Sequence, residues 1–169
     1  MTNDKVILVN PEQWSYSYDA YVHAFDALLF RDSHSANAFQ ADFQKKGIRY
    51  ERLAGKRLAS SYGGGFTVRL GPWVTYKTGS KPRFCQPDGL VEGPDCCVVV
   101  EFKLSHRPEA EAKLRNFYLP ILSLLYPPGH RFKLVQICKN LRLGDRPTRI
   151  KLPDLINLTD EYSLVQWIG

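Results

Sequence analysis

Three ionisable side chains, two carboxylates and one ammonium, lie at the ends of two predicted strands and could together bind an ion. Asp88 opens one apolar run, and Glu101 and Lys103 close the next, which begins with the apolar stretch Cys96 to Val100. Residues two apart in a strand point to one face, so Glu101 and Lys103 share a side while Phe102 points to the other. A carboxylate and an ammonium on a buried strand are costly unless they are paired or bind an ion. The pattern predicts an ion-binding site, and an exposed Glu-Lys pair at the sheet end is the alternative.

A family resemblance is carried by the same residues. Pro87-Asp88, followed thirteen residues after the aspartate by Glu101-Phe102-Lys103, resembles the signature of the PD-(D/E)xK nuclease superfamily. The context agrees, because the aspartate opens one predicted strand, Glu-x-Lys closes the next and a helix signal follows. The resemblance implies a restriction-endonuclease-like α/β fold, with a mixed central sheet of about four or five strands flanked by helices. We expect this core to span roughly residues 34 to 140 of a single domain covering residues 1 to 169.

The resemblance also implies an activity, the metal-dependent hydrolysis of phosphodiester bonds in DNA. Asp88, Glu101 and the backbone carbonyl of Phe102 would hold Mg²⁺, or Mn²⁺ in its place, through hard oxygen ligands. The metal would activate water and neutralise charge on the phosphate. Lys103 would orient or deprotonate that water or stabilise the pentacovalent phosphate, and these roles stay open. Whether cleavage is endonucleolytic or exonucleolytic also stays open.

A third carboxylate stands on a helix predicted from Ile48 to Ser60. Glu51 lies beside the apolar stripe of that helix, and Gly55 is four residues further along the same face, which leaves room for a bulky group. In the superfamily a glutamate on the helix before the sheet often completes the metal site. The resemblance therefore makes Glu51 a candidate catalytic residue and metal ligand, with an ordinary surface glutamate as the alternative.

The composition favours an anionic partner such as nucleic acid. The chain has 23 Lys and Arg against 17 Asp and Glu, a formal net charge of +6. A basic balance attracts polyanions, although many basic proteins bind none.

The four cysteines, Cys85, Cys96, Cys97 and Cys138, have neither zinc spacing nor the iron-sulfur pattern of some relatives. The sequence shows no signal peptide and no apolar run of membrane-spanning length. We therefore expect reduced thiols in a cytoplasmic protein without a membrane partner.

Upstream of the motif, periodicity predicts further elements. Lys5 to Val9 could form a short strand, and the apolar spacing from Tyr16 to Phe30 predicts a helix. Asp32-Ser33 offers an N-cap for a second helix that would end at Gly47.

The stretch between the glycines and the motif predicts two strands and a basic loop. Gly63 to Gly65 is a flexible turn, and Phe66 to Leu70 and Trp73 to Tyr76 form a hairpin or one bent strand. The loop from Lys77 to Arg83 would contact phosphates through Lys77, Lys81 and Arg83, or else be simply solvated.

The segment from Glu92 to Asp95 is the turn that joins the two motif strands, and Asp95 is either a rival metal ligand or simply a residue of that Gly-Pro-Asp turn. After the motif strands, a helix is predicted from Ser105 to about Leu125. Pro108 lies in its first turn, and Pro120 should kink it. Three cations on its polar side and one aromatic residue complete the candidate nucleic-acid-binding set: Arg107, Lys113, Arg115 and Tyr118. Tyr118 stands at the tyrosine of a Gln-x-x-x-Tyr signature found in some branches, with Leu114 in place of the glutamine.

The C-terminal part of the chain predicts one more sheet strand and a basic connection. Arg131 to Cys138 alternates as a strand does. The segment from Lys139 to Lys151 is basic, and Thr159-Asp160 would cap a last short helix carrying Leu164 to Ile168.

Two other functions stay open beside a DNA-cleaving enzyme. One is a nucleic-acid-binding module with a nuclease-like fold that does not cut, and the other is a structure-selective, junction-resolving endonuclease. A homodimer is compatible with either.

Overall fold

The structure is a computed structural model that describes residues 5–7, 15–18, 21–24, 28–31, 42–78 and 81–169. Side chains are described for residues 44–76 and 83–169. The strands, numbered in chain order, are β1 (Lys5–Ile7), β2 (Ser15–Tyr18), β3 (Tyr21–Ala24), β4 (Leu28–Arg31), β5 (Thr67–Leu70), β6 (Trp73–Thr78), β7 (Lys81–Cys85), β8 (Gly89–Glu92), β9 (Cys96–Ser105), β10 (Arg131–Asn140) and β11 (Tyr162–Gln166). The α-helices are α1 (Asp42–Ser61), α2 (Pro108–Lys113) and α3 (Leu119–Ser123), with a π-helical turn at Leu114–Tyr118 and a 3₁₀ helix at Leu152–Asn157.

The fold is α/β and is built around a mixed sheet of five strands in the order β11-β10-β9-β8-β5. Strand β9 lies at its centre, antiparallel to β8 and parallel to β10. Residues Cys96 to Phe102 are buried because both faces of this strand are covered. The apolar run from Cys96 to Val100 is typical of a strand covered on both faces, and the buried strand predicted there is confirmed, as is the predicted strand β10.

Helices cover the two faces of the sheet. Because successive side chains of a strand alternate, Val98, Val100 and Phe102 of β9 pack with Tyr50, Ala54 and Leu58 of α1. On the opposite face, Cys97 and Val99 pack with Leu114, Tyr118 and Leu122 of the α2–α3 segment. The end of β9 therefore presents Glu101 and Lys103 towards α2, and Phe102 towards α1.

The predicted helix after β9 is confirmed, with one local change before Pro120. The Leu119 N–H bonds to Leu114 O, five residues back, in the π-helical turn. The π-helical turn directly precedes the segment that carries Pro120, a residue that removes an N–H donor and disturbs the helical turn before it.

The helix predicted from Tyr16 to Phe30 is wrong. Strands β2, β3 and β4 occupy the described parts of that segment, and β2 pairs antiparallel with β3, with Tyr18 opposite Tyr21. Aromatic residues favour strands, and serine and tyrosine alternate from Ser15 to Tyr18 with a period of two.

The helix end predicted at Gly47 is also wrong, because α1 runs through it. An interior glycine costs only about 1 kcal/mol relative to alanine, and burial of Tyr50, Ala54 and Leu58 outweighs that cost. The N-cap predicted at Asp32-Ser33 lies outside the described residues.

A second sheet, in the order β1-β4-β6-β7, was not expected from the sequence. The two strands predicted between Phe66 and Tyr76 are confirmed as β5 and β6. They belong to different sheets, so the prediction that they pair as a hairpin or form one bent strand is wrong. The backbone of Gly71, which lies between them, has a φ of 54°, a conformation glycine adopts without strain. The basic loop predicted from Lys77 to Arg83 is likewise wrong, because its ends belong to the paired strands β6 and β7.

The last predicted helix is a strand. Strand β11 lies parallel to β10, with Leu164 opposite Gln136, and the Thr148 N–H donates to Leu164 O at 2.7 Å. Ser163, Leu164 and Val165 are all buried, a run that suits a strand covered on both faces. The central sheet thus continues beyond residue 140, the end expected from the motif.

No helix in the described part of the chain is both long enough and apolar enough to cross a membrane.

Candidate functional site

The antiparallel pairing of β8 and β9 brings Asp88 beside Glu101. Gly89 lies opposite Val100, so the residue before β8 meets the residue after Val100. The Phe102 N–H donates to Asp88 Oδ2 at 2.7 Å, and the Gly71 N–H donates to Asp88 O at 2.8 Å. Backbone N–H groups therefore hold both the carboxylate and the carbonyl of Asp88 just before β8, where it lies beside Glu101.

Glu101 is a fully buried carboxylate, with 0% of its surface exposed. Lys103 Nζ lies 2.7 Å from Glu101 Oε1 and 4.0 Å from Asp88 Oδ2. Strand alternation places the two side chains on one face, as predicted, and the ammonium lies between both carboxylates. The other oxygen, Glu101 Oε2, is buried and has no hydrogen-bond partner among the described residues.

A second lysine, Lys113 of α2, also reaches Glu101. Its Nζ lies 3.0 Å from the same oxygen, Oε1, and 4.8 Å from the centre of the Tyr118 ring. A buried carboxylate needs a paired charge, and Glu101 has two. The sequence interpretation placed Lys113 among the nucleic-acid contacts and missed this ion pair, because nothing in a linear pattern joins residues of a strand and a separate helix.

Tyr118 supports the segment that carries Asp88. Its hydroxyl donates to Gln86 O at 2.7 Å, and Gln86 Nε2 donates to Gly71 O at 2.8 Å. With 2% of its surface exposed, Tyr118 lies inside the core, so its assignment as a nucleic-acid contact is wrong. Its helical spacing with Leu114 and Leu122 already predicted a place on the apolar side of the helix, and the structure packs Tyr118 with both residues.

Burial and mutual repulsion set the electrostatics of the two carboxylates. Burial first, then Glu101 and Glu51, raise the pKa of Asp88 to about 7, against the lowering effect of Lys103 and the Phe102 N–H. Burial lowers the pKa of Lys103, but the carboxylates around it outweigh that effect, and the net shift is upward. Lys103 is thus held as a cation, while Asp88 changes its charge near neutral pH.

Glu51 lies on α1. Burial first raises its pKa, and among the charges around it Lys103 lowers the value while Glu101 raises it. Its electrostatic coupling to the motif residues agrees with a place near the site. Gly55 does not open space for a ligand, because a Cβ there would be 3.4 Å from the Leu70 side chain and 3.8 Å from Phe102.

Within the described residues, no three His, Cys, Asp or Glu side chains are grouped so that they could hold a metal ion. Glu51, Asp88 and Glu101 therefore do not form a three-carboxylate centre as they stand. The oxygens gathered at the site belong to Asp88 and Glu101, and the assignment of Glu51 as a ligand stays a prediction.

The remaining predicted nucleic-acid contacts are in different situations. Arg83 and Arg107 are exposed. Arg115 is engaged by Glu111 at 2.9 Å and Glu161 at 3.1 Å. The side chains of Lys77 and Lys81 lie outside the described residues. Asp95, the rival metal ligand, is paired with Arg131 at 2.7 Å on an exposed turn and takes no part in the site.

A buried glutamine next to the site also escaped sequence reasoning. Gln136 of β10 lies opposite Glu101 in the sheet and is 0% exposed. With its amide turned to suit its neighbours, its nitrogen donates to Arg107 O at 3.0 Å and its oxygen accepts from the Arg107 N–H at 2.9 Å. It fixes the loop between β9 and α2. A lone polar residue within Leu134 to Ile137 is a signal that could have identified it.

Comparison of the sequence with protein-family models and with curated proteins finds no match.

Proposed function

We propose that this protein is a divalent-metal-dependent nuclease that hydrolyses phosphodiester bonds in DNA. The observation that carries the proposal is the fully buried Glu101, whose Oε2 lacks a partner among the described residues, beside Asp88 and Lys103. Burying a carboxylate oxygen without a donor costs stability, and a cation is a ligand that would offset that cost.

The oxygens present suit Mg²⁺, or Mn²⁺ in its place. Mg²⁺ in phosphate-handling sites is commonly bound by one or two carboxylates together with waters and substrate phosphates. Asp88 and Glu101 would supply the carboxylate oxygens, with the Phe102 carbonyl and Glu51 as further predicted ligands. When bound, the metal supplies an activated water and neutralises charge on the phosphate.

The protein's own residues perform the positioning. The Phe102 N–H and the Gly71 N–H hold Asp88 in place, and Lys103 lies between the two carboxylates. From there the Lys103 ammonium can orient a water or stabilise negative charge on a phosphate oxygen, because its own charge is retained at neutral pH.

Charge and fold support a DNA substrate. The net charge of +6 favours a polyanion, and Arg83 and Arg107 are exposed cations available to phosphates. The mixed five-stranded sheet flanked by helices is consistent with the restriction-endonuclease-like fold implied by the PD-(D/E)xK resemblance. A cytoplasmic location and a homodimer are further predictions of the same proposal.

A second function, binding nucleic acid without cutting it, is favoured by the charge balance at Glu101. Two lysines already neutralise that carboxylate, at 2.7 and 3.0 Å. A carboxylate neutralised by two lysines is also found in structural ion-pair networks, which need no metal ion and no catalysis.

One experiment separates these functions. Purified protein is incubated with supercoiled plasmid, end-labelled linear duplex and a four-way junction, each with Mg²⁺, Mn²⁺ or a chelator. Metal-dependent cleavage that is lost in Asp88→Ala and kept in Asp95→Ala supports a nuclease, and the products distinguish endonuclease, exonuclease and junction-selective activity. DNA binding without cleavage in any metal supports the binding module instead.

A further inference from the structure

Two lysines bond one oxygen of Glu101 and leave the other without a partner among the described residues. Lys103 and Lys113 both contact Oε1, at 2.7 and 3.0 Å, while Oε2 is the buried oxygen left over. Two ammonium groups on one oxygen repel each other, and a divalent cation placed nearby would repel both. Binding of the cation therefore favours the departure of one lysine.

Lys113 is the lysine that can leave. Its contact with Glu101 is the longer of the two, and its side chain is 43% exposed against 35% for Lys103. Lys103 extends from the same strand as Glu101 and also approaches Asp88 at 4.0 Å. Lys113 reaches in from α2, and the Tyr118 ring lies 4.8 Å from its Nζ. An aromatic face stabilises a cation without a carboxylate, so the ammonium can remain near the site after leaving Glu101.

We propose that Lys113 is an exchangeable counter-ion that neutralises Glu101 in the metal-free protein and transfers to a DNA phosphate when a divalent cation binds. The inference rests on the proposed metal site. The metal takes over the neutralisation of Glu101, and the released ammonium meets the phosphate that the metal attracts. Metal and DNA binding thereby strengthen each other, and by linkage the coupling is reciprocal.

The test uses Lys113→Met, which keeps most of the side-chain length and removes the charge. Without DNA, Mn²⁺ affinity is measured by the electron paramagnetic resonance signal of the free ion. We expect the variant to bind Mn²⁺ at least about tenfold more tightly, equivalent to about 1.4 kcal/mol, because the competing cation is gone.

DNA affinity is then measured by fluorescence anisotropy in chelator and in Ca²⁺. In chelator, the DNA affinity of Lys113→Met should equal that of the wild type within about twofold. In Ca²⁺, the variant should bind DNA at least about fivefold more weakly than the wild type, the low end of typical coupling between sites. Lys56→Met is the matched control, since it makes the same substitution at an exposed lysine of α1 that is not among the candidate nucleic-acid contacts. It should leave Mn²⁺ affinity and the ratio of the two DNA affinities unchanged.

The outcomes separate this inference from the proposed function. A wild type that binds no Mn²⁺ overturns both. A wild type and Lys113→Met that bind Mn²⁺ equally overturn the exchange alone and leave the nuclease proposal standing. A variant that loses DNA affinity equally in chelator and in Ca²⁺ shows an ordinary phosphate contact and also overturns the exchange.

Discussion

Replacing Asp88 with asparagine should stabilise the metal-free protein, in a way that depends on pH. Burial, with Glu101 and Glu51, raises the pKa of Asp88 from its ordinary 3.8 to about 7. The folded-state pKa thus lies above the unfolded value, so the folded state binds more protons between the two. The contribution of Asp88 to the free energy of unfolding is greatest below pH 3.8 and is lost as pH rises through about 7.

The structure sets the size of that loss. At 1.36 kcal/mol per pH unit, the difference between an unfolded-state pKa of 3.8 and a folded-state pKa of about 7 corresponds to about 4 kcal/mol. Asparagine keeps an oxygen that can accept the Phe102 N–H, which donates at 2.7 Å in the wild type, but it gives up attraction to Lys103. We expect a net gain of about 2–4 kcal/mol at pH 8 in chelator, or very roughly 4–16 °C in Tm for a chain of this size.

The assay is urea unfolding of both proteins at pH 4, 6 and 8 in chelator, followed by melting curves with and without Mg²⁺. The two stabilities should converge towards pH 4. Only the wild type should gain stability from Mg²⁺, because a ligand stabilises the state it binds. Asp95→Asn is the control, since Asp95 is an exposed turn carboxylate paired with Arg131. An Asp88→Asn variant that is no more stable than the wild type at pH 8 would refute this account of the site.

Three further substitutions test neighbouring parts of the site. Lys103→Ala should lower cleavage by at least about a hundredfold, the low end for a positioned acid-base group, while circular dichroism shows a folded protein; normal cleavage would remove Lys103 from the mechanism. Glu51→Gln should raise the melting temperature in chelator and reduce the Mg²⁺-induced shift, since Glu51 adds to the repulsion at Asp88; equal shifts in both proteins would exclude Glu51 as a ligand. Tyr118→Phe removes the hydrogen bond to Gln86 O and should lower the free energy of unfolding by about 1 kcal/mol in urea. If Tyr118 positions Asp88, this variant should also lower the cleavage rate, whereas Phe117→Leu, at a partly buried neighbour, should not.

Local patterns were sufficient where one element's periodicity was unambiguous. The apolar run of β9, the alternation in β10 and the stripe of α1 from Tyr50 to Leu58 each predicted the observed element. The placement of Glu101 with Lys103 also followed from the sequence, because two residues of one strand share a face whatever surrounds them.

Short segments with aromatic and aliphatic residues were mispredicted because their apolar residues fit both the 3.6-residue period of a helix and the two-residue period of a strand. Tyr16 to Phe30 and Leu164 to Ile168 have apolar residues at helical spacing, yet both segments contribute strands. Pairing decides such cases, since β11 gains backbone hydrogen bonds from β10 and the strands near the N-terminus pair with one another and with β6. Hydrogen-bond partners distant in sequence do not appear in a local pattern.

The sequence by itself determined which residue types could form the site and that Glu101 and Lys103 point the same way. Only the tertiary structure decided that Lys113 shares the Glu101 oxygen, that Tyr118 is buried under Gln86, and that Gln136 holds the loop entering α2. The physical reason is that strand alternation is a property of consecutive residues, whereas ion pairs and buried hydrogen bonds join elements whose distance and orientation are set by the packing of the whole sheet against its helices.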